Sequence, residues 1–123
     1  MDITPQVDAG GQLINSYGDG GFRISGRRYE GSVLVLFDRV VPINVLRIND
    51  LTPQFVDEFK GPAPQILLVG CGDSMGLVPN DVTVALRDRG VVVEPMDTGA
   101  ACRTYNVLLT EGRRAAALLI ATE

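Results

Sequence analysis

Hydrophobic and polar positions change rhythm near residue 52. Before it, short alternating or wholly apolar runs are punctuated by glycine. Residues 13–17 read as a short strand, and Gly18-Asp19-Gly20-Gly21 as a turn. Phe22-Arg23-Ile24-Ser25 alternates apolar with polar, as a half-buried strand does, and Gly26-Arg27 follows as a hairpin tip. Residues 32–37 are apolar at nearly every position, which predicts a strand covered on both faces. Asp38-Arg39 breaks that run. Residues 40–45 make another strand, and Pro42 places it at a sheet edge or a bulge because proline has no N–H for a ladder.

After residue 52, helical spacing alternates with all-apolar runs. Thr52-Pro53 starts a helix in which Phe55, Val56 and Phe59 follow at helical spacing, and Gly61-Pro62 ends it. A strand follows at 66–69. The next helix spans 79–89, with Val82, Ala85 and Leu86 on one face and Gly90 as its stop. A strand at 91–93 turns at Pro95. A helix then runs over 98–110, capped by Asp97 or Thr98, whose short side chains can accept from the first free N–H groups. On it, Ala101, Tyr105 and Leu108 share one face, while Arg103, Asn106 and Thr110 point roughly the other way. Residues 113–122 are ambiguous. Alanine and leucine favour a helix, yet Gly112 interrupts and a last strand would complete a sheet. Strands first and αβαβαβ afterwards define one α/β domain over residues 13–123 with a mixed sheet, preceded by a loose arm over 1–12 carrying Pro5, Gly10 and Gly11.

Composition narrows the chemistry. The 123 residues suit one core, and a net charge of −4 argues against nucleic acid or an anionic membrane as partner. There is no histidine, which removes Ser-His and Cys-His dyads and the usual zinc sets. Cys71 and Cys102 form no CxxC pattern, so reduced thiols are expected. No signal peptide is recognised, and no apolar run approaches the ~20 residues of a spanning helix. A soluble cytoplasmic protein is the expectation, with neither metal site nor cofactor.

Two stretches are candidates for binding. Gly70-Cys71-Gly72-Asp73-Ser74-Met75-Gly76 links a strand to a helix, with Glu94 ending the next strand roughly where a dinucleotide fold holds its ribose. Backbone amides at such a turn can cradle a phosphate. Against this, the third glycine is one position late and Pro79 delays the helix; a structural turn is the other reading. The second stretch is the helix start over 97–106. A site between the two would use Gly70, Gly72, Asp73, Asp97, Thr98, Arg103, Thr104 and Asn106, beyond the carboxyl ends of the strands. Cys102 lies in the first turns of that helix, where the dipole and Arg103 would lower a thiol pKa; a buried small hydrophobe is the alternative. Asp73, Asp97 and Glu111 read as caps and partners for Arg103, Arg113 and Arg114, or as an acid–base pair.

The run from Asp97-Thr98-Gly99-Ala100-Ala101-Cys102-Arg103 to Leu109, with Glu111-Gly112-Arg113-Arg114 after it, resembles a small family, the bacterial branch of the Mth-type domains of unknown function. Tyr17-Gly18-Asp19-Gly20-Gly21-Phe22, Tyr29-Glu30-Gly31-Ser32-Val33 and Leu68-Val69-Gly70-Cys71-Gly72 carry the same resemblance. It implies a three-layer α/β fold with a central mixed β-sheet, helices and an N-terminal β-hairpin layer, and it makes the tail a strand. Family members commonly have threonine at the place of Cys71, so no shared role for a thiol is implied. The resemblance implies no established enzyme activity. Its relatives include a mitochondrial complex I assembly factor and a human adipogenesis-associated protein, so interaction with protein partners, respiratory-complex subunits among them, is the expected role. Self-association stays open, and a small-ligand or nucleotide-phosphate module, with catalysis left open, is the alternative.

Overall fold

A computed structural model describes residues 1–3 and 11–123. Three antiparallel strands come first: β1 (Ile14–Gly18), β2 (Gly21–Ile24) and β3 (Arg27–Glu30), in spatial order β1-β2-β3. The β2–β3 tip falls on Ser25 and Gly26, one residue earlier than the sequence suggested, because Arg27 is already paired with Ile24. The N-terminal hairpin layer is thus a three-stranded meander. Met1 and Ile3 hydrogen-bond to Tyr17 and Asn15, adding to the β1 edge within the stretch expected to be a loose arm. Residues 4–10 of that arm lie outside the described residues.

The central sheet contains β4 (Val33–Val35), β5 (Val40–Pro42), β6 (Ile66–Gly70), β7 (Val92–Met96) and β8 (Ala115–Leu119), in the order β5-β4-β8-β6-β7. β4 is antiparallel to both β5 and β8, whereas β6 is parallel to β7 and β8. Both prolines of the sheet sit on its edges, Pro42 in β5 and Pro95 in β7, where a missing N–H interrupts no ladder. Pro95 consequently continues a strand that the sequence appeared to turn there. Ala115–Leu119 is a strand, as the resemblance implied and propensity alone did not, and it lies in the middle of the sheet.

Helix α1 (Asn80–Asp88) joins β6 to its neighbour β7, and helix α2 (Thr98–Thr110) leads back across β6 to β8. Right-handed crossovers in opposite directions put the two helices on opposite faces. The core divides accordingly. Leu34, Leu67, Val69, Ala116 and Leu118 pack under α1 and the 3-10 segment Pro53–Glu58. Val33, Val35, Leu68, Ala117 and Leu119 pack under α2 and the three-stranded sheet. The helix expected after Thr52 is this 3-10 segment, short but still burying Phe55 and Val56. β4 is buried on both faces, while Phe37, expected within that run, is 61% exposed beyond its end.

Candidate functional site

Of the predicted ligand residues, Gly70, Gly72, Asp97 and Thr98 gather at the carboxyl ends of β6, β7 and β8, where they hold the chain to itself. Thr98 is fully buried: its Oγ1 accepts from Gly72 N at 2.9 Å and donates to Ile120 O at 2.7 Å, and its N–H reaches Gly72 O at 2.8 Å. One residue thus ties the β6 loop, the start of α2 and the end of β8. A Cβ on Gly70 would stand 2.9 Å from Thr98 Cα, so the bare glycine is what allows this approach. Asp97 caps α2, its side chain accepting from Ala100 N at 2.8 Å, and its carbonyl accepts from Ala101 N.

Four of the amides that would cradle a phosphate are thus engaged within the protein: Cys71 N donates to Met96 O, Gly72 N to Thr98 Oγ1, and Thr98 N and Ala100 N as above. Asp73 and Arg103 are exposed and Thr104 is half-buried. Arg103 donates to the Tyr17 hydroxyl at 3.1 Å. That ring lies over Gly99, where an added Cβ would come within 2.6 Å of the Tyr17 oxygen.

Asn106 is 3% exposed, not on an open face with Arg103 as the helical spacing suggested. It faces β1, accepting from Ile14 N at 2.9 Å and donating to Ile14 O at 2.8 Å. The simple two-face reading failed because α2 is covered on two sides, by the central sheet and by β1. Cys102 is fully buried, and burial, reinforced by Asp97 and only partly opposed by Arg103, pushes its thiol up to about 12. It is the small buried hydrophobe of the two readings. Tyr105 is also fully buried, its hydroxyl without a partner among the described residues, and burial raises its pKa.

At the other end of the sheet is an open cavity of about 410 Å³. The end of β4, the chain following the 3-10 segment, and the turn from α2 into β8 form its walls. Leu36, Phe59, Pro62, Ala63 and Leu109 line it together with Arg39, Lys60, Arg113 and Arg114. Arg39 contacts Asp38 at 3.2 Å and Glu58 at 3.3 Å. Lys60, Arg113 and Arg114 have no ion-pair partner among the described residues. The pairing expected of Arg103, Arg113 and Arg114 with Asp73, Asp97 and Glu111 is accordingly not present. Gly112 ends α2 in a Schellman turn, φ +74°, with Gly112 N bonded to Leu109 O and Arg113 N to Leu108 O. That turn delivers Arg113 and Arg114 to the cavity. Positions 39, 60 and 113–114 are distant in sequence; the signal available was two arginines directly after a helix stop and the chain's single lysine before Gly61-Pro62.

Among solved structures, this architecture resembles an outer membrane protein of Bartonella henselae, with a TM-score of 0.81, 31% identity, and coverage of 94% of this chain and 98% of that one. It also resembles a Mth938-like domain of Bordetella pertussis, with a TM-score of 0.78, 27% identity, and coverage of 98% and 92%. The class is thus a Mth938-like single α/β domain. By sequence, the chain is 39% identical over 122 residues to human NADH dehydrogenase [ubiquinone] 1 alpha subcomplex assembly factor 3, covering 98% of this chain and 66% of that protein. Residues 14–120 match the family described as protein of unknown function (DUF498/DUF598), and the chain belongs to that family.

Proposed function

We propose that this chain acts by binding other proteins, as an assembly factor for a respiratory complex of the NADH dehydrogenase type, without catalysing a reaction of its own. The observation that carries this reading is the 39% identity, over 98% of the chain, to a human protein named for such assembly. The chain spans 66% of that relative's length, so the role is carried over for the shared domain. Chemistry supports it: the sequence has no histidine, the Cys102 thiol is buried and neutral, and the amides at the 70–72 turn serve the fold.

The surface offered to a partner is the pair of loops at the carboxyl ends of β5 and β6. Leu46, Met75 and Leu77 are 85%, 67% and 88% exposed. The loops adjoin, since a Cβ on Gly76 would lie 3.1 Å from Ile48 Cγ2. A lone exposed leucine needs no explanation, but three large apolar side chains on adjoining loops favour docking. Among the described residues no helix is long and apolar enough to cross a membrane, and the reading places the protein on the cytoplasmic side of the membrane bearing the complex.

The test is cross-linked capture from the native cell, followed by native gels. Respiratory-complex subunits should be recovered with the wild type and lost with a Leu46→Ser, Met75→Ser, Leu77→Ser variant. A deletion strain should show depleted complex. Recovery of no subunit, a normal complex in the deletion strain, or fractionation with the outer membrane would overturn the reading.

A further inference from the structure

The cavity at the far end of the sheet has no part in that proposal, and its chemistry points elsewhere. Four cations line it against two carboxylates, Asp38 and Glu58, in a chain whose net charge is −4. Both carboxylates are taken up by Arg39. Among the described residues, Lys60, Arg113 and Arg114 have no ion-pair partner, and they stand beside Phe59, Leu109 and the Pro62-Ala63-Pro64 segment.

A surface cation facing only water needs no partner, but a concave site lined by both apolar side chains and several cations is a binding geometry. Its volume falls within the range of small-molecule pockets, which are mostly apolar with a few placed polar groups. The guanidinium fork suits the two oxygens of a carboxylate or phosphate, and the low polarity of the walls strengthens that attraction. Neither a bare inorganic anion nor a neutral hydrocarbon would use both parts. A nucleic acid strand needs an extended basic track, and the acidic chain supplies none.

We propose that the cavity lined by Leu36, Phe59, Leu109, Lys60, Arg113 and Arg114 binds a small amphipathic anion. A carboxylate or phosphate head would meet the two arginines and the lysine, and a short acyl or aromatic body would lie along Phe59, Leu109 and the proline wall. Gly112 matters because the turn it ends sets both arginines at the rim. The site is independent of the Leu46, Met75 and Leu77 surface, which lies at the opposite end of the sheet.

The test titrates octanoate and octyl phosphate, with octanol and octylamine as controls, into the full chain at low salt while recording backbone amide shifts. At least one anion should give saturable shifts concentrated at residues 36–39, 58–64 and 109–116, and the tighter of the two identifies the head group. Octanol and octylamine should bind at least about tenfold more weakly, and added salt should weaken the anion. An Arg113→Ser, Arg114→Ser variant, whose substitutions are exposed, should keep its melting point and lose about tenfold in affinity. Absence of saturable shifts with both anions, shifts centred elsewhere, or equal binding of octanol would overturn the proposal. The wild-type map decides it even if the variant fails to fold.

Discussion

Asn106 on α2 pairs with Ile14 on β1 as a neighbouring strand would: its side-chain amide accepts from the Ile14 N–H at 2.9 Å and donates to the Ile14 carbonyl at 2.8 Å. The two residues are 92 positions apart, and both are buried. A helix thereby closes part of an exposed strand edge with one side chain. Asn106→Leu would leave both Ile14 groups buried and unsatisfied, at about 1–3 kcal/mol each. Urea unfolding should show a loss of roughly 2–6 kcal/mol. A loss below about 1 kcal/mol would mean that water takes over both bonds.

Thr98 permits a cleaner test of the junction at the other end. Thr98→Val keeps the shape but removes the hydroxyl shared by Gly72 N and Ile120 O. It should cost roughly 1–3 kcal/mol in denaturant unfolding, whereas Thr98→Ser, which keeps both bonds, should cost less than Val. The reverse order would show that the methyl group and not the hydroxyl holds the junction.

Gly99 and Tyr17 should be coupled in sign. Alanine is the better helix former by up to about 1 kcal/mol, yet at position 99 its Cβ would stand 2.6 Å from the Tyr17 oxygen. Gly99→Ala should therefore destabilise the wild type and stabilise a Tyr17→Ala background. A double-mutant cycle reads this directly. Equal effects in both backgrounds would remove the steric explanation.

Alkaline pH should weaken the fold through Cys102. Its folded-state pKa of about 12 exceeds the ordinary 9.0, so above pH 9 the unfolded chain releases a proton that the native chain retains. The stabilisation is complete below pH 9 and is lost as pH rises towards 12, by about 1.4 kcal/mol per unit over that window. Tyr105, raised for the same reason, adds to the loss at its upper end. Unfolding midpoints from pH 8 to 11 should fall more steeply for the wild type than for Cys102→Ala. In the native protein at pH 8, a thiol reagent should reach the half-buried Cys71 and spare Cys102.

The elements that the sequence made legible were those whose signals are local. Most glycine turns, the centre of the apolar run in β4 and the Asp97 cap each depend on neighbours within a few residues. The structure has them at or within a residue of the expected place, whereas Pro95 continues its strand and Phe37 lies beyond β4. The tail is different. Ala115-Ala116-Ala117 prefers helix by propensity, and only its place between β4 and β6 makes it a strand, so the resemblance revealed what the local pattern did not. Asn106 was misplaced for the same reason, since its partner Ile14 is far away in sequence. At the candidate site, the turn at 70–72 and the helix start were correctly brought together, but sequence could not tell that Thr98 would use their amides itself. The cationic cavity depends on residues from three distant segments, and no spacing encodes it.

The middle strand of the central sheet is also the last of its strands to be synthesised. While a ribosome is still making the chain, β4 with β5 and β6 with β7 are two separate pairs, and each lacks the neighbour that joins them. The interior cannot close progressively from the amino end. It closes when β8 slots between the pairs, so the nascent chain carries unpaired strand edges, the kind that invite wrong partners, until β8 has been made.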